Sequence, residues 1–350
     1  MGKDGGDDGD RGGADDPAVR ASPQGGPRTV TPVRTLPGSF APGTVAISPD
    51  GRLGLCGGGN EPVRLWELAT GKLLRDLGAD GAGSAGVATD GRRVLASGGG
   101  TFMRCTVTGW VSRFDTFAPR GPHPMDRGPH RDRAPGTSGD RGAVAFDATG
   151  RHALGICADH ALRMWDLADG TCTRTLAGHA VWPTAVWLGP DARRAVSAGS
   201  DAEIRVWDVD GGGCAVFPHP GSWVSSVCLS ADGGLVLAAG HHRGRPLWLL
   251  DAATGDLVRT FENVRDPRSL KDPEDRSGEV LTARFTSDGR FAVSGEDDGR
   301  IRMWDTATGR CVRTLEGHTE DVYGIALTPD DRFLISGSSD GTLRLWELDW

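Results

Sequence analysis

His, Ser and Asp occur together twice in this chain, in one order and at one spacing: His179, Ser197 and Asp201, then His318, Ser336 and Asp340. These are the residue types of a hydrolytic relay, in which an imidazole takes the proton of a serine hydroxyl and a carboxylate orients the imidazole. Two observations weigh against that chemistry. The set recurs in phase with a repeat of the chain, and no motif supplies the oxyanion donors that a serine nucleophile needs. A metal centre built from His241 and His242 with His219, or with His123 and His130, is the second reading. Adjacent histidines on a strand or turn point in different directions and no carboxylate is phased with these, so they read as exposed loop histidines. The seven cysteines, Cys56, Cys105, Cys157, Cys172, Cys214, Cys228 and Cys311, form no C-x-x-C pair and no Cys–His cluster of zinc spacing. Scattered through expected strands, they read as small buried apolar residues in a reducing compartment. GGGN at 57–60 and SGGG at 97–100 end expected strands rather than joining a strand to a helix, so neither is a phosphate loop. No catalytic residue, metal or cofactor is expected.

Composition narrows the function classes. With 47 acidic against 39 basic residues the net charge is −8, which argues against a nucleic-acid binder. The first ten residues, MGKDGGDDGD, have neither a basic region nor an apolar core, so no secretory signal is expected. No run of 18 apolar residues occurs, so no membrane-spanning helix is expected. Residues 1–29 are Gly, Asp, Pro and Arg with almost no large apolar side chain. They cannot bury enough surface to offset their ordering entropy and are expected to be disordered.

The elements that would hold the recurring residues are short strands. In Gly317 to Glu347, VYGIALT is a β-branched and apolar run, TPDDR a turn, FLISGS a second strand, SDG a second turn and TLRLWEL a third strand with alternating apolar positions. The first turn recurs at Asp50, Asp90, Thr149, Asp191, Asp232, Asp288 and Asp330. Trp66, Trp165, Trp207, Trp304 and Trp346 each follow their own turn marker by 16 residues. A period of about 40–45 residues with about four strands per unit is that of a propeller blade.

The chain resembles the WD-repeat β-propeller family over residues 31–350. Trp165-Asp166, Trp207-Asp208 and Trp304-Asp305 match the signature dipeptide of that family, Trp66-Glu67 and Trp346-Glu347 are conservative variants, and Gly178-His179 and Gly317-His318 match its second signature. The resemblance implies an all-β fold: a seven-bladed β-propeller of four-stranded antiparallel blades. It also implies that His179, Ser197, Asp201 and Trp207, and again His318, Ser336, Asp340 and Trp346, form hydrogen-bonded structural tetrads. A third repeat keeps Ser294, Asp298 and Trp304 without the His, and another keeps Asp159 and Trp165 with Gly155 at the Ser position.

The domain expected is 30–350, with blade 1 at about 43–77, blade 2 at 84–117, blade 3 at 142–176, blade 4 at 184–217, blade 5 at 224–261, blade 6 at 280–315 and blade 7 at 322–348. Insertions are expected at 118–141 and 262–278. Blade 2 is degenerate. Aligning Cys105 with the missing Trp leaves WVSRFDTF as its fourth strand and keeps the following Pro-rich stretch out of a sheet. Residues 31–36, TPVRTL, match the fourth strands CTRTL, LVRTF and CVRTL of other repeats, yet no blade precedes them. They are expected to pair with 342–348 as the fourth strand of blade 7 and to close the ring.

Trp182, Trp223, Asp321 and Tyr323 precede or open first strands and should approach the loop face, where the family meets partners. Arg243 and Arg245, with Arg127, Arg131 and Arg133 of the first insertion, could make that face locally basic and suit an acidic or phosphorylated peptide. The function these features imply is a non-catalytic, cytoplasmic, monomeric scaffold for protein or peptide partners, with no nucleic acid and no membrane. The alternatives are a regulatory or sensor propeller of a bacterial signalling system, or a metal-dependent enzyme using the central funnel.

Overall fold

The computed structural model describes residues 27, 29–37, 44–58, 61–76, 82–87, 93–98, 101–106, 109–115, 144–157, 159–218, 223–241, 247–261 and 279–350. Every regular element among them is a β-strand, and the architecture is an all-β propeller of four-stranded antiparallel blades.

The repeated turn has a simple cause. A hydroxyl two residues before the marker Asp bonds its carboxylate, and the same hydroxyl oxygen accepts the backbone N–H of the residue that starts the next strand. The pairs are Ser48 with Asp50 (2.6 Å), Ser230 with Asp232 (2.5 Å), Thr286 with Asp288 (2.7 Å) and Thr328 with Asp330 (2.6 Å). Leu53, Leu235, Phe291 and Phe333 donate the backbone bonds. This local side-chain closure fixes where each second strand begins.

Among the described residues the strands form seven four-stranded sheets. Six follow chain order. The other runs Thr29–Pro37, Thr342–Asp349, Phe333–Ser338, Val322–Leu327. Thr29–Pro37 pairs antiparallel with Thr342–Asp349, from Thr29 opposite Asp349 to Pro37 opposite Thr342, with one irregularity between Pro32 and Arg34. In the degenerate repeats, Cys105 stands opposite Val94 and Leu250 opposite Val236. Trp66 stands in the same register opposite Gly54 and Trp346 opposite Leu334. Gly109–Asp115 is the fourth strand beside Thr101–Thr106.

Among the described side chains the core lies between sheets rather than at a single centre. Val196, Ile204 and Val206 of blade 4 pack on Val224, Val236, Trp248 and Leu250 of blade 5. Leu237, Leu247 and Phe261 of blade 5 meet Val280, Ala292 and Trp304 of blade 6. Along the axis, Thr44–Ile47 lies against both Ala82–Val87 and Val322–Leu327. The strand from residues 29–37 enters two of these cores. Leu36 packs with Ile47, Trp66 and Leu343, and Val30 packs against the cluster holding Met303, Leu315 and Trp346.

Blades 6 and 7 carry an additional staple. Asp331 occupies a left-handed turn position (φ 54°) where other copies of the turn have Gly51, Gly233 and Gly289. Its carboxylate accepts the backbone N–H and the hydroxyl of Ser287 in the neighbouring blade, the hydroxyl at 2.6 Å. Burial pushes the Asp331 carboxyl above the usual carboxylate range, against the lowering effect of those bonds. The Trp350 indole N–H donates to the Asp331 carbonyl (2.8 Å) and its ring lies 5.2 Å from that of Phe291.

The cysteines depart from the expected burial. Cys56 and Cys228 are buried, Cys157 and Cys311 half-buried, and Cys172 and Cys214 exposed. Cys172, Cys214 and Cys311 lie at or next to the start of outer strands, which pack on one side only, so a strand position alone did not imply a core position.

Candidate functional site

Blades 4 and 7 bring the recurring residues together. Trp207 on a third strand donates its indole N–H to Ser197 Oγ (2.8 Å), Ser197 Oγ lies 2.8 Å from His179 Nε2, and His179 Nδ1 lies 2.9 Å from Asp201. In blade 7, Trp346 donates to Ser336 (2.9 Å), His318 Nε2 is 2.8 Å from Ser336, and His318 Nδ1 is 2.8 Å from Asp340. One proton placement satisfies each set. The neutral imidazole donates from Nδ1 to the carboxylate and accepts the serine hydroxyl at Nε2. Ser197 and Ser336 are both 0% exposed, so no substrate can reach their oxygens. Burial pushes both imidazoles below the ordinary histidine value, against the raising pull of Asp201 and Asp340. Burial opposes the Asp340 carboxylate, yet bonds from Thr342 and His318 hold it below the usual range.

The blades without the His solve the same problem differently. In blade 6, Trp304 still donates to Ser294 (2.9 Å), but Ser294 donates to the buried Glu296 (2.9 Å). Glu296 pairs with Arg302, whose other nitrogen reaches Asp298 at 3.0 Å. In blade 3, Arg163 grips Asp159 through both guanidinium nitrogens (2.9 and 2.5 Å), which holds Asp159 below the usual carboxylate range. Arg64, Arg163, Arg205, Arg302 and Arg344 all stand two residues before a repeat Trp. Where His179 or His318 occupies the Asp, this Arg instead lies against the glycine before the His: a Cβ on Gly178 would fall 2.6 Å from Arg205 Nη1, and one on Gly317 2.9 Å from Arg344 Nη1. This arginine was not among the residues singled out from the sequence. Its signal was the recurring R-x-W.

In blade 1, Cys56 holds the serine register opposite Arg64, as Ser336 does opposite Arg344. Among the described residues the buried indole N–H of Trp66 has no acceptor.

The rim candidates divide. Trp182 is 40% exposed and Val181 38%. Ser200 donates to the Trp182 carbonyl from its backbone N–H (3.5 Å) and from its hydroxyl (3.3 Å), and the indole meets the His160 ring edge-on at 6.1 Å. His160 holds a left-handed φ of 65°, a conformation that costs energy for a residue with a side chain. Tyr323 and Asp321 are half-buried and joined, hydroxyl to carboxylate, at 2.7 Å. Trp223 begins Trp223–Leu229; its side chain, together with Arg127, Arg131, Arg133, Arg243 and Arg245, lies outside the described set, as do residues 118–141 and 262–278. Among the described residues, His179, Asp201 and Glu203 are close enough to share a metal ion, but both His179 nitrogens are already engaged with Asp201 and Ser197. No helix among the described residues is long and apolar enough to cross a membrane.

The family model described as "WD domain, G-beta repeat" matches residues 170–208, 268–305 and 309–347. Those three stretches are WD repeats. Its similar relatives include eukaryotic translation initiation factor 3 subunit I of Scheffersomyces stipitis, 28% identical over 181 residues that make up 50% of this chain and 51% of that protein. Nuclear distribution protein nudF of Aspergillus niger is 32% identical over 189 residues, 50% of this chain and 42% of that protein. Protein tipD of Dictyostelium discoideum is 32% identical over 161 residues, 45% and 24%. The chain thus spans about half or less of the length of these relatives.

Two outcomes follow. Replacing Cys56 with Ser gives Trp66 its acceptor and should raise stability by about 1 kcal/mol in a urea titration; an unchanged or lower midpoint refutes the assignment of that register. The two buried histidines are held neutral in the fold, whereas the unfolded chain binds their protons with the ordinary value of 6.5. Their contribution is complete above that pH and is lost as pH falls below it towards the lowered folded values. The urea midpoint should therefore drop between pH 7 and pH 5, and the double variant His179→Gln, His318→Gln should start lower but fall less steeply.

Proposed function

We propose that this chain is a non-catalytic scaffold that presents the rim around Trp182 to a protein or peptide partner. The observation that carries this reading is the pinned, exposed indole: Trp182 is 40% exposed, its carbonyl is held by Ser200, and its ring rests on His160 in a strained turn. A large aromatic ring ordered before binding loses little freedom on contact, which is the usual property of an interface anchor. The two relays are the frame beneath the rim. They orient the connections that precede the first strands and have no exposed hydroxyl to react. The seven blades close into one ring, with residues 29–37 as the latch; the pairing with 342–349 and the entry of Leu36 and Val30 into two interblade cores support this. The arginines at 127, 131, 133, 243 and 245 are proposed as a basic border favouring an acidic peptide. Trp223, Asp321 and Tyr323 are proposed as further contacts, and a cytoplasmic location suits the cysteine usage.

Affinity capture from the source cell with the intact chain, a Trp182→Ala variant and a variant lacking 119–140 tests the rim. A protein held by the intact chain, then purified, should bind Trp182→Ala at least about tenfold more weakly by calorimetry. Equal binding removes Trp182 from the interface. Deleting residues 1–38 should lower the melting temperature sharply; an unchanged melt refutes the latch.

A further inference from the structure

The innermost layer of the molecule carries a single charge. The first strands of the described blades are Thr44–Ile47, Ala82–Val87, Val144–Phe146, Pro183–Leu188, Trp223–Leu229, Val280–Phe285 and Val322–Leu327. Arg284 is the one charged residue in all of them, in a chain whose net charge is −8. First strands of neighbouring blades lie against one another, so Arg284 looks onto other first strands rather than onto the outer surface.

This guanidinium is held in place, but by neutral groups. Nη1 donates to Ser226 Oγ on the neighbouring first strand at 3.0 Å and to the Ala283 carbonyl at 2.8 Å. Ser226 is itself fixed: its hydroxyl donates to the Ala283 carbonyl and its oxygen accepts the Ala283 backbone N–H, both at 3.2 Å. Among the described residues no carboxylate pairs with Arg284, and its Nε and Nη2 have no acceptor. Neither nitrogen is sealed from solvent. Elsewhere in the molecule this same edge grips a carboxylate. Arg151 holds Asp166 and Arg332 holds Glu347 through Nε at 3.1 Å and Nη2 at 2.9 Å.

There is also room beside it. Arg284 stands opposite Val293, the third residue of its second strand. At the matching position blades 1, 3 and 7 have Ala46, Ala145 and Ala326. All three alanines are only half-buried although they lie on innermost strands, so the space between these strands is accessible.

We infer that Arg284 anchors a site for a small free carboxylate between the first strands. A partly desolvated cation with no counter-charge has lost hydration that nothing in the chain restores. The planar Nε and Nη2 edge matches a carboxylate with two parallel bonds, as Arg151 and Arg332 demonstrate internally. Enclosure by strands favours a small ligand over a segment of a folded partner. The site does not involve the Trp182 rim, so the two are tested separately.

The test is a titration of the full chain with sodium acetate, followed by saturation-transfer NMR at the acetate methyl, with sodium chloride holding the ionic strength constant. Saturable binding with half-saturation below about 50 mM is expected. Arg284→Gln should abolish it. Arg284→Lys keeps the charge but loses the fork and should weaken binding by about threefold or more; it carries the test if Arg284→Gln does not fold. Arg174→Gln, which removes the same charge from an exposed outer strand, should bind like the parent. A linear, unsaturated response, binding that survives in folded Arg284→Gln, parental affinity in Arg284→Lys, or equal loss in Arg174→Gln would each overturn the inference.

Discussion

The described cores of this chain lie between sheets, and that constraint governs the rest. A sheet with one neighbour would leave a row of Val, Leu and Ile side chains in water, at a cost of about 1.5–3 kcal/mol for each large one. Core clusters therefore sit between blades, as with Val206 against Trp248 and Leu247 against Trp304. A blade cannot be understood alone: Trp304 closes the core that blade 5 begins, and Val30 and Leu36 reach from one strand into two different cores. The outer strand of the last blade comes from the far end of the sequence because both of its faces are needed.

Polar groups must be reconciled with that apolar packing. The repeat Trp brings an indole N–H into the core, and each blade that carries one has to find it an acceptor. Blades 4 and 7 do so with a serine backed by a neutral imidazole and an Asp. Blade 6 uses a serine backed by a buried Glu and Arg, and blade 1 has Cys56 in the serine register. Buried networks are costly when incomplete, so the arginine that stands two residues before the Trp matters as much as the His. It rests beside the glycine when the His holds the Asp, and takes the Asp when the His is missing. Between pH 7 and pH 5 the imidazoles of blades 4 and 7 gain protons, whereas a guanidinium keeps its charge across the same range.

Much of this was legible in the sequence because turn chemistry is local. The hydroxyl–x–Asp marker closes on itself, so its phase located the second strands and placed Cys105 and Leu250 at Trp positions without a Trp. The pairing of residues 31–36 with the last strand was legible because TPVRTL copies other outer strands. What the sequence obscured depended on contacts between repeats. Arg302 and Arg163 look like solvated charges until Asp298 and Asp159 are seen beside them. The exposed Cys172 and Cys214 look like core residues until their strands prove to be outermost. Of the rim residues, Trp182 and Tyr323 were indistinguishable by position, yet one stands in solvent and the other is tied to Asp321.

The antiparallel pairing of Thr29–Pro37 with Thr342–Asp349 also fixes an orientation. Thr29 and Asp349 sit side by side at the end of the third strand that is remote from the turn preceding it, and Trp182 is held by the equivalent turn in blade 4. A tag, linker or surface attachment joined through either residue would therefore sit at the strand end opposite the one beside Trp182. The chain could be immobilised from that end with the exposed indole left clear.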